Sequence, residues 1–364
     1  MALRFDTAEE SVTKIKVIGV GGGGNNTIDR MVKSNLQGAE FIAVNTDLQQ
    51  LNRSLAPVKL QIGQHISDGK GCGADPLKGR RCAEESREEL RALLQDTDLL
   101  FVTAGMGGGT GTGAAAVIAE LAKELGILTI GVVTRPFKFE GAKRASRAEA
   151  GIHDLYEHVD SLLVIPNERL KYVTDQKITF VNAFAFADEI LKQAISSIYE
   201  LITVQGLISL DFADVETVMQ KSGFAHMGVG KAAGKNKAIE AARMAVQSPL
   251  METSISGAKG VLLNIIASPE IELNEIDTAA SFVQENAHPE AVIIFGAAID
   301  DSLSDEVRIS IIATGFTDSA ANPLPSQGTD AAEAAKPAPT VEKEPENDSL
   351  ADEYERLLKL FQSK

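Results

Sequence analysis

No run of about eighteen or more consecutive apolar residues occurs in the 364 residues, so no membrane-spanning helix is predicted. Residues 1–11 are polar and acidic and lack both the basic and the apolar stretch of a secretory leader. The expectation is a cytoplasmic protein with no direct membrane insertion. Cysteine is scarce too: Cys72 and Cys82 are the only two, in a stretch without further metal-ligand spacing. That pattern argues against a zinc site and for free thiols in a reducing compartment. Positive charge is in deficit, with 35 Lys and Arg against 51 Asp and Glu and a formal net charge of −16. Such a field disfavours non-specific binding to nucleic acid or to an anionic membrane surface, so no nucleic-acid partner is expected. An anionic ligand would have to be held locally, against the average field.

The hydrophobic content is 44%, enough for two packed domains of ordinary size. Short apolar runs at 14–20, 41–44, 99–103, 127–133 and 162–165 alternate with helical patterns, which predicts a parallel sheet. Several of these runs are apolar at consecutive positions, as strands covered by helices on both faces are. Residues 180–203 have the pattern of one long helix that can bury its Phe, Ile and Leu positions against both halves of the molecule. Beyond it, β-rich runs at 261–267, 291–299 and 307–314, with helical segments near 236–246 and 275–285, predict a second, smaller α/β domain. Residues 317–349 shift to Pro, Ala, Glu, Asp, Ser and Thr, the composition of a disordered linker. In 350–364, Leu350, Tyr354, Leu357, Leu358 and Phe361 share one helical stripe, a short amphipathic tail suited to docking. The fold class is therefore α/β: an N-terminal extension (1–12), a Rossmann-like domain with a parallel sheet (13–179), a long central helix (180–204), a smaller C-terminal α/β domain (205–316), a disordered linker and a short C-terminal amphipathic tail.

Immediately after the first strand come Gly19, Gly21, Gly22, Gly23 and Gly24, then Asn25 and Asn26, leading into a helix predicted to start near Thr27. Glycines there let backbone N–H groups and a helix N-terminus approach a phosphate. Gly19, Gly21 and Gly24 also satisfy dinucleotide spacing, with Asp47 placed as a ribose-binding acid, so an NAD-binding domain is a rival on this loop alone. A second loop argues against it. The strand at 99–103 runs into Gly105, Gly107, Gly108, Gly109, Thr110, Gly111, Thr112 and Gly113 before a helix at 114–125, a second set of donors that a dinucleotide fold does not need. Neither loop contains a lysine, so the Walker-type phosphate loop is absent and the charge of a triphosphate calls for Mg2+.

The run from Gly107 through Gly113 resembles the signature of the tubulin/FtsZ family, and the likeness continues in order and spacing through 16–26, 43–47, 101–115, 131–141, 164–167, 206–218 and 312–316. The resemblance implies a GTP-binding domain at 13–179, a GTPase-activating domain at 205–316, and GTP or GDP as ligand with Mg2+, K+ being a second candidate cation. Gly21, Gly22, Gly23 and Asn26 would hold phosphates from the first loop, and Gly107, Gly108, Gly109, Thr110, Gly111, Thr112 and Gly113 from the second. Gly71, Gly73 and Ala74 match a third phosphate-side loop. Glu140 and Arg144 would meet ribose or the purine, and Asn167, Phe184 and Asp188 the guanine, whose N1–H and exocyclic amine suit a carboxylate. Asp211 and Asp214 would polarise the attacking water for the nucleotide of a neighbouring subunit, so hydrolysis would require head-to-tail assembly into the filaments of a mid-cell division ring.

Each of these contacts also has a plainer reading from the residues alone. Glu140 and Arg144 stand at the spacing of a helical ion pair, and Phe184 at that of a core position. Asn167, after Pro166, fits a turn, and Asp211 or Asp214 fits a helix N-cap. The chain also departs from the family pattern. Ser209 stands where asparagine is common, and Asp75 places a carboxylate beside the phosphate loop, where it should oppose a triphosphate. The resemblance implies division-ring membrane tethers or regulators as partners of the C-terminal tail, although that tail lacks the usual Ile-Pro-x-Phe-Leu core.

Overall fold

The computed structural model describes residues 13–34, 36, 38–173, 178–203, 206–208 and 210–316. The N-terminal extension, the linker, the docking tail and Ser209 lie outside them. In chain order the first half is β1 (Ile15–Val20), α1 (Gly21–Lys33), β2 (Ala39–Asn45), α2 (Leu48–Arg53), β3 (Val58–Gln61), α3 (Gln64–Ser67), α4 (Pro76–Glu85) and α5 (Arg87–Leu94). It continues through β4 (Leu99–Gly105), α6 (Thr110–Glu124), β5 (Leu128–Arg135), α7 (Ala142–Tyr156) and β6 (Ser161–Pro166) to the long α8 (Ala183–Thr203). Then follow α9 (Phe212–Met219), β7 (Gly223–Ala233), α10 (Lys237–Val246), β8 (Gly260–Ala267), α11 (Leu273–Asn286), β9 (Val292–Ile299) and β10 (Glu306–Thr314).

The strands form one sheet in the order β3-β2-β1-β4-β5-β6-β7-β10-β8-β9. Pairing is parallel from β3 through β7, antiparallel where β10 meets β7 and β8, and parallel again between β8 and β9. Successive β1 residues point into different cores, Val17 into one that includes Ile28 and Ile195, and Ile18 into one that includes Ile118 and Leu90. That is why consecutive positions are apolar: both sheet faces are covered. Helix α8 packs on α1, β5 and β8, and its Ile190, Ile195 and Ile198 share a core with Leu262 of β8 and Ile312 of β10. The long helix is thus a spine common to both halves.

Strand β7 carries no sequence signal strong enough to predict it, and the reason is packing. A Cβ at Gly228 would lie 2.0 Å from Ala245 O, and one at Gly230 only 1.9 Å from Ala241 O, so α10 lies directly on the strand backbone. The helix starts also differ from expectation, α1 beginning at Gly21 rather than near Thr27 and α6 at Thr110 rather than at 114. The glycines are the first helical turns themselves, because the helices approach so closely: a Cβ at Gly24 would lie 2.4 Å from Thr103 O.

The parallel register aligns the carboxyl ends of the strands. Val20 pairs with Ala104, Gly105 with Thr134, and Arg135 with Pro166, so the turns after β1, β4, β5 and β6 emerge along one edge. Connections leave β1 toward β2 on one side and enter β4 on the other, which places the crevice of a doubly wound sheet between the two glycine segments.

Candidate nucleotide site

A cavity of about 290 Å³ opens at that crevice. Of the predicted residues it brings together Gly22, Gly23, Gly71, Gly73, Ala74, Gly108, Gly109, Thr110, Gly111 and Arg144, with Val20, Asn45, Asp47, Gln50, Lys70, Cys72 and Gly105 completing the wall. The first turns of α1 and α6 both contribute, so unpaired N–H groups and the positive ends of two helix dipoles converge on it. A larger cavity, about 430 Å³, lies between α8 and β9, but its wall carries Glu200, Asp300 and Asp301, which would repel a polyphosphate.

Other predicted residues shape the cradle from outside the cavity wall. Gly21 has φ 69°, and a Cβ there would meet Gly111 N at 2.9 Å, so the two loops abut. Gly107, at φ 93°, donates its N–H to the Thr112 hydroxyl at 2.8 Å, which fixes the second loop. A Cβ on Gly113 would lie 2.0 Å from Pro76 O, whereas Gly108 has nothing within 4 Å. Asn26 is exposed on α1. The buried Asn25 ties the first loop to β2, donating to Gly19 O at 2.8 Å and accepting from Asn45 Nδ2 at 2.7 Å.

At the proposed base end, Glu140 Oε1 accepts the Phe137 N–H at 2.8 Å while Oε2 lies 3.0 Å from Arg144 Nε, an ion pair formed across the turn at Gly141 (φ 94°) rather than along one helix. Phe184 is 41% exposed and meets Phe137 edge-on at 5.5 Å, which corrects its reading as core. Asn167 is buried, and among the described residues its Oδ1 has no hydrogen-bond partner, which leaves an acceptor open to a ligand donor. The Asp188 carboxyl lies 3.7 Å from Arg30 Nε. Burial pushes it up to about 6, with Arg30 pulling the other way.

Asp211 and Asp214 stand elsewhere. Asp211 Oδ1 accepts the Asp214 N–H at 2.9 Å and Asp214 Oδ2 accepts the Asp211 N–H at 3.3 Å, a reciprocal cap on α9. Helix α9 packs on β8 and β9, and neither aspartate lines the cavity. Asp75 caps α4, its Oδ1 accepting from Leu77 N at 3.0 Å and Lys78 N at 3.3 Å, so its carboxylate is turned to a helix end rather than into the cradle. Asp47 likewise caps α2, its Oδ1 accepting from the N–H groups of Gln49 and Gln50, and it also lines the cavity.

Sequence patterns missed Thr46, whose hydroxyl meets that of Thr110 at 2.6 Å and links the β2 end to the second loop. They also missed Arg30, the partner of Asp188, and the aromatic group of Phe137, Phe139 and Phe180 around Phe184. The repeated phenylalanines at 137, 139, 180 and 184 were the available signal. Cys72 and Cys82 are buried free thiols, their sulfurs 4.0 Å apart, and burial pushes the Cys82 thiol up to about 12.

A doubly wound sheet with paired glycine cradles at its switch point defines a nucleotide-binding α/β protein. A family model described as "Tubulin/FtsZ family, GTPase domain" matches residues 14–175, and one described as "FtsZ family, C-terminal domain" matches residues 223–317. Among solved structures, an empty FtsZ dimer from M. jannaschii is 43% identical over 84% of this chain and 89% of that one, with a TM-score of 0.81. A GDP-bound CetZ1 monomer from Haloferax volcanii is 22% identical over 86% and 97%, with a TM-score of 0.74. A GTPγS-bound CetZ2 protofilament from the same organism is 21% identical over 84% and 93%, with a TM-score of 0.69. The two CetZ proteins show the shared fold alone. The chain belongs to the tubulin/FtsZ family, and its activity is that of a guanine-nucleotide-binding GTPase.

Proposed function

We propose that the protein assembles head to tail into division-ring filaments, each subunit's cradle holding GTP and the next subunit's Asp211 and Asp214 completing the hydrolytic site. The observation that carries this reading is the separation of the acidic pair from the glycine cradle within one chain. A site split between two faces of a subunit joins copies heterologously, and such contacts propagate as filaments. The M. jannaschii FtsZ dimer and the CetZ2 protofilament are assembled relatives consistent with that scheme.

In this reading the N–H groups of Gly22, Gly23, Gly108, Gly109, Thr110 and Gly111 hold phosphate oxygens. Asn167 Oδ1 gains the donor it lacks, and Asp188 accepts from guanine N1–H and the exocyclic amine. Each catalytic aspartate commits one oxygen to the α9 cap, leaving Asp211 Oδ2 and Asp214 Oδ1 to orient the water that attacks the γ-phosphorus as GDP leaves. Mg2+, with K+ as a second candidate, would supply charge neutralisation at the phosphates. Asp211 and Asp214 would also help to organise that cation near the γ-phosphate. A cytoplasmic, mid-cell location goes with this function, and among the described residues no helix is long and apolar enough to cross a membrane. Docking of division-ring tethers or regulators on 350–364 rests on the amphipathic stripe of that tail alone.

GTP turnover measured against protein concentration, with light scattering on the same sample in Mg2+ and K+, tests the proposal. Activity that appears together with scattering above a threshold supports a shared site. Turnover strictly proportional to concentration, without scattering, would mean a self-contained one.

A further inference from the structure

The glycine loops contain no lysine, yet the cavity they form holds positive charge. Lys70 lines it beside Gly22, Gly71 and Gly108. The backbone fixes this position: Lys70 donates its N–H to Ser67 O at 3.0 Å, Gly69 O accepts from Leu48 N at 3.1 Å, and Gly71 donates to Thr46 O at 3.3 Å. The lysine is thereby tied to the end of β2 and to the residue that bridges to Thr110. Its Nζ pairs with Asp68 Oδ2 at 2.6 Å, but the two side chains are 79% and 78% exposed, so solvent screens the pair and little holds it closed. The other cation of the wall, Arg144, is committed to Glu140, whose side chain is 8% exposed. Asp47 and Asp75 each commit Oδ1 to a helix cap, and the ion pair that Lys70 makes is with Asp68. No residue of α8, which carries the guanine-side Phe184 and Asp188, lines the cavity, so Lys70 is grouped with the glycine loops rather than with the base side.

We propose that Lys70 is a positioning residue for the terminal phosphate: its ammonium leaves Asp68 and pairs with the γ-phosphate, giving this cradle the point charge that a phosphate-loop lysine supplies in unrelated nucleotide sites. This rests on the reading of the cavity as the phosphate site. It follows that the lysine discriminates GTP from GDP and lowers the divalent-cation concentration needed for binding.

Equilibrium binding of GTP and of GDP, below the assembly threshold and across a Mg2+ titration, tests this with the full chain and its Lys70→Met and Lys70→Arg variants. Lys70→Met should weaken GTP about tenfold, the scale of one partly screened charge-assisted hydrogen bond, and GDP less than about twofold. It should also raise the Mg2+ needed for half-maximal GTP binding, and Lys70→Arg should restore most of both. Equal weakening of the two nucleotides, or no change in either, overturns the proposal. If the unsubstituted protein failed to bind GTP at all, the phosphate-site reading beneath it would fall instead.

Discussion

Burial and charge oppose each other at Asp188. Its folded value of about 6 exceeds that of an exposed aspartate, so between about pH 4 and pH 6 the nucleotide-free fold binds more protons than the unfolded chain. Stability therefore falls as pH rises through that window, and the penalty, on the order of 2–3 kcal/mol, is complete above it. Asp188→Asn should accordingly melt higher than the parent at pH 7.5, with the difference vanishing below about pH 4, in calorimetry without nucleotide. The same variant should bind GTP at least about tenfold more weakly, because an amide cannot accept from both guanine donors at once. Unchanged affinity would remove Asp188 from the site. The glycines offer a matched pair of tests. Gly108→Ala adds a methyl that meets nothing among the described residues, so it should fold normally but weaken nucleotide binding. Gly113→Ala drives a methyl to 2.0 Å from Pro76 O and should cost roughly 1–3 kcal/mol in denaturant melts. Equal stability of the two would contradict the packing role assigned to Gly113.

At the scale of elements, the start of α9 is a cap in the structure and, in the proposed function, a catalytic pair as well. As a cap it needs only oxygen acceptors, which asparagine also has; as a catalytic pair it needs negative charge. Asp214→Asn should therefore keep the melting temperature within a degree or two while lowering turnover at least about a hundredfold, and retained turnover would reduce Asp214 to a cap. What could and could not be read from the sequence depended on whether a feature is contiguous in the chain. Strands β1, β4, β5 and β6 were legible because both faces are buried and their residues are apolar in succession. Strand β7 was not, since Gly228 and Gly230 record the approach of α10 rather than strand propensity. The glycine cradle was legible because each half is contiguous in the chain. Thr46, Arg30 and Lys70 were not, because only the sheet order and the packing of α8 on α1 bring them to the site.

For the whole molecule, a net charge of −16 is compatible with binding a triphosphate only because helix N-termini, backbone donors and a few cations gather at one edge of the sheet. The acidic pair lies apart from that edge, beside β8 and β9, and α8 connects the two regions through a shared core. In the proposed assembly each subunit would present a nucleotide face and a hydrolytic face. The most direct test mixes two variants that are each impaired: Asp214→Asn, with an intact cradle, and Gly108→Ala, with intact aspartates. Turnover of the mixture is the quantity to measure. A subunit of the first kind carrying GTP and capped by one of the second contains a complete site, so the mixture should hydrolyse GTP well above the sum of the separate rates. A mixture no more active than that sum would contradict a site shared between subunits.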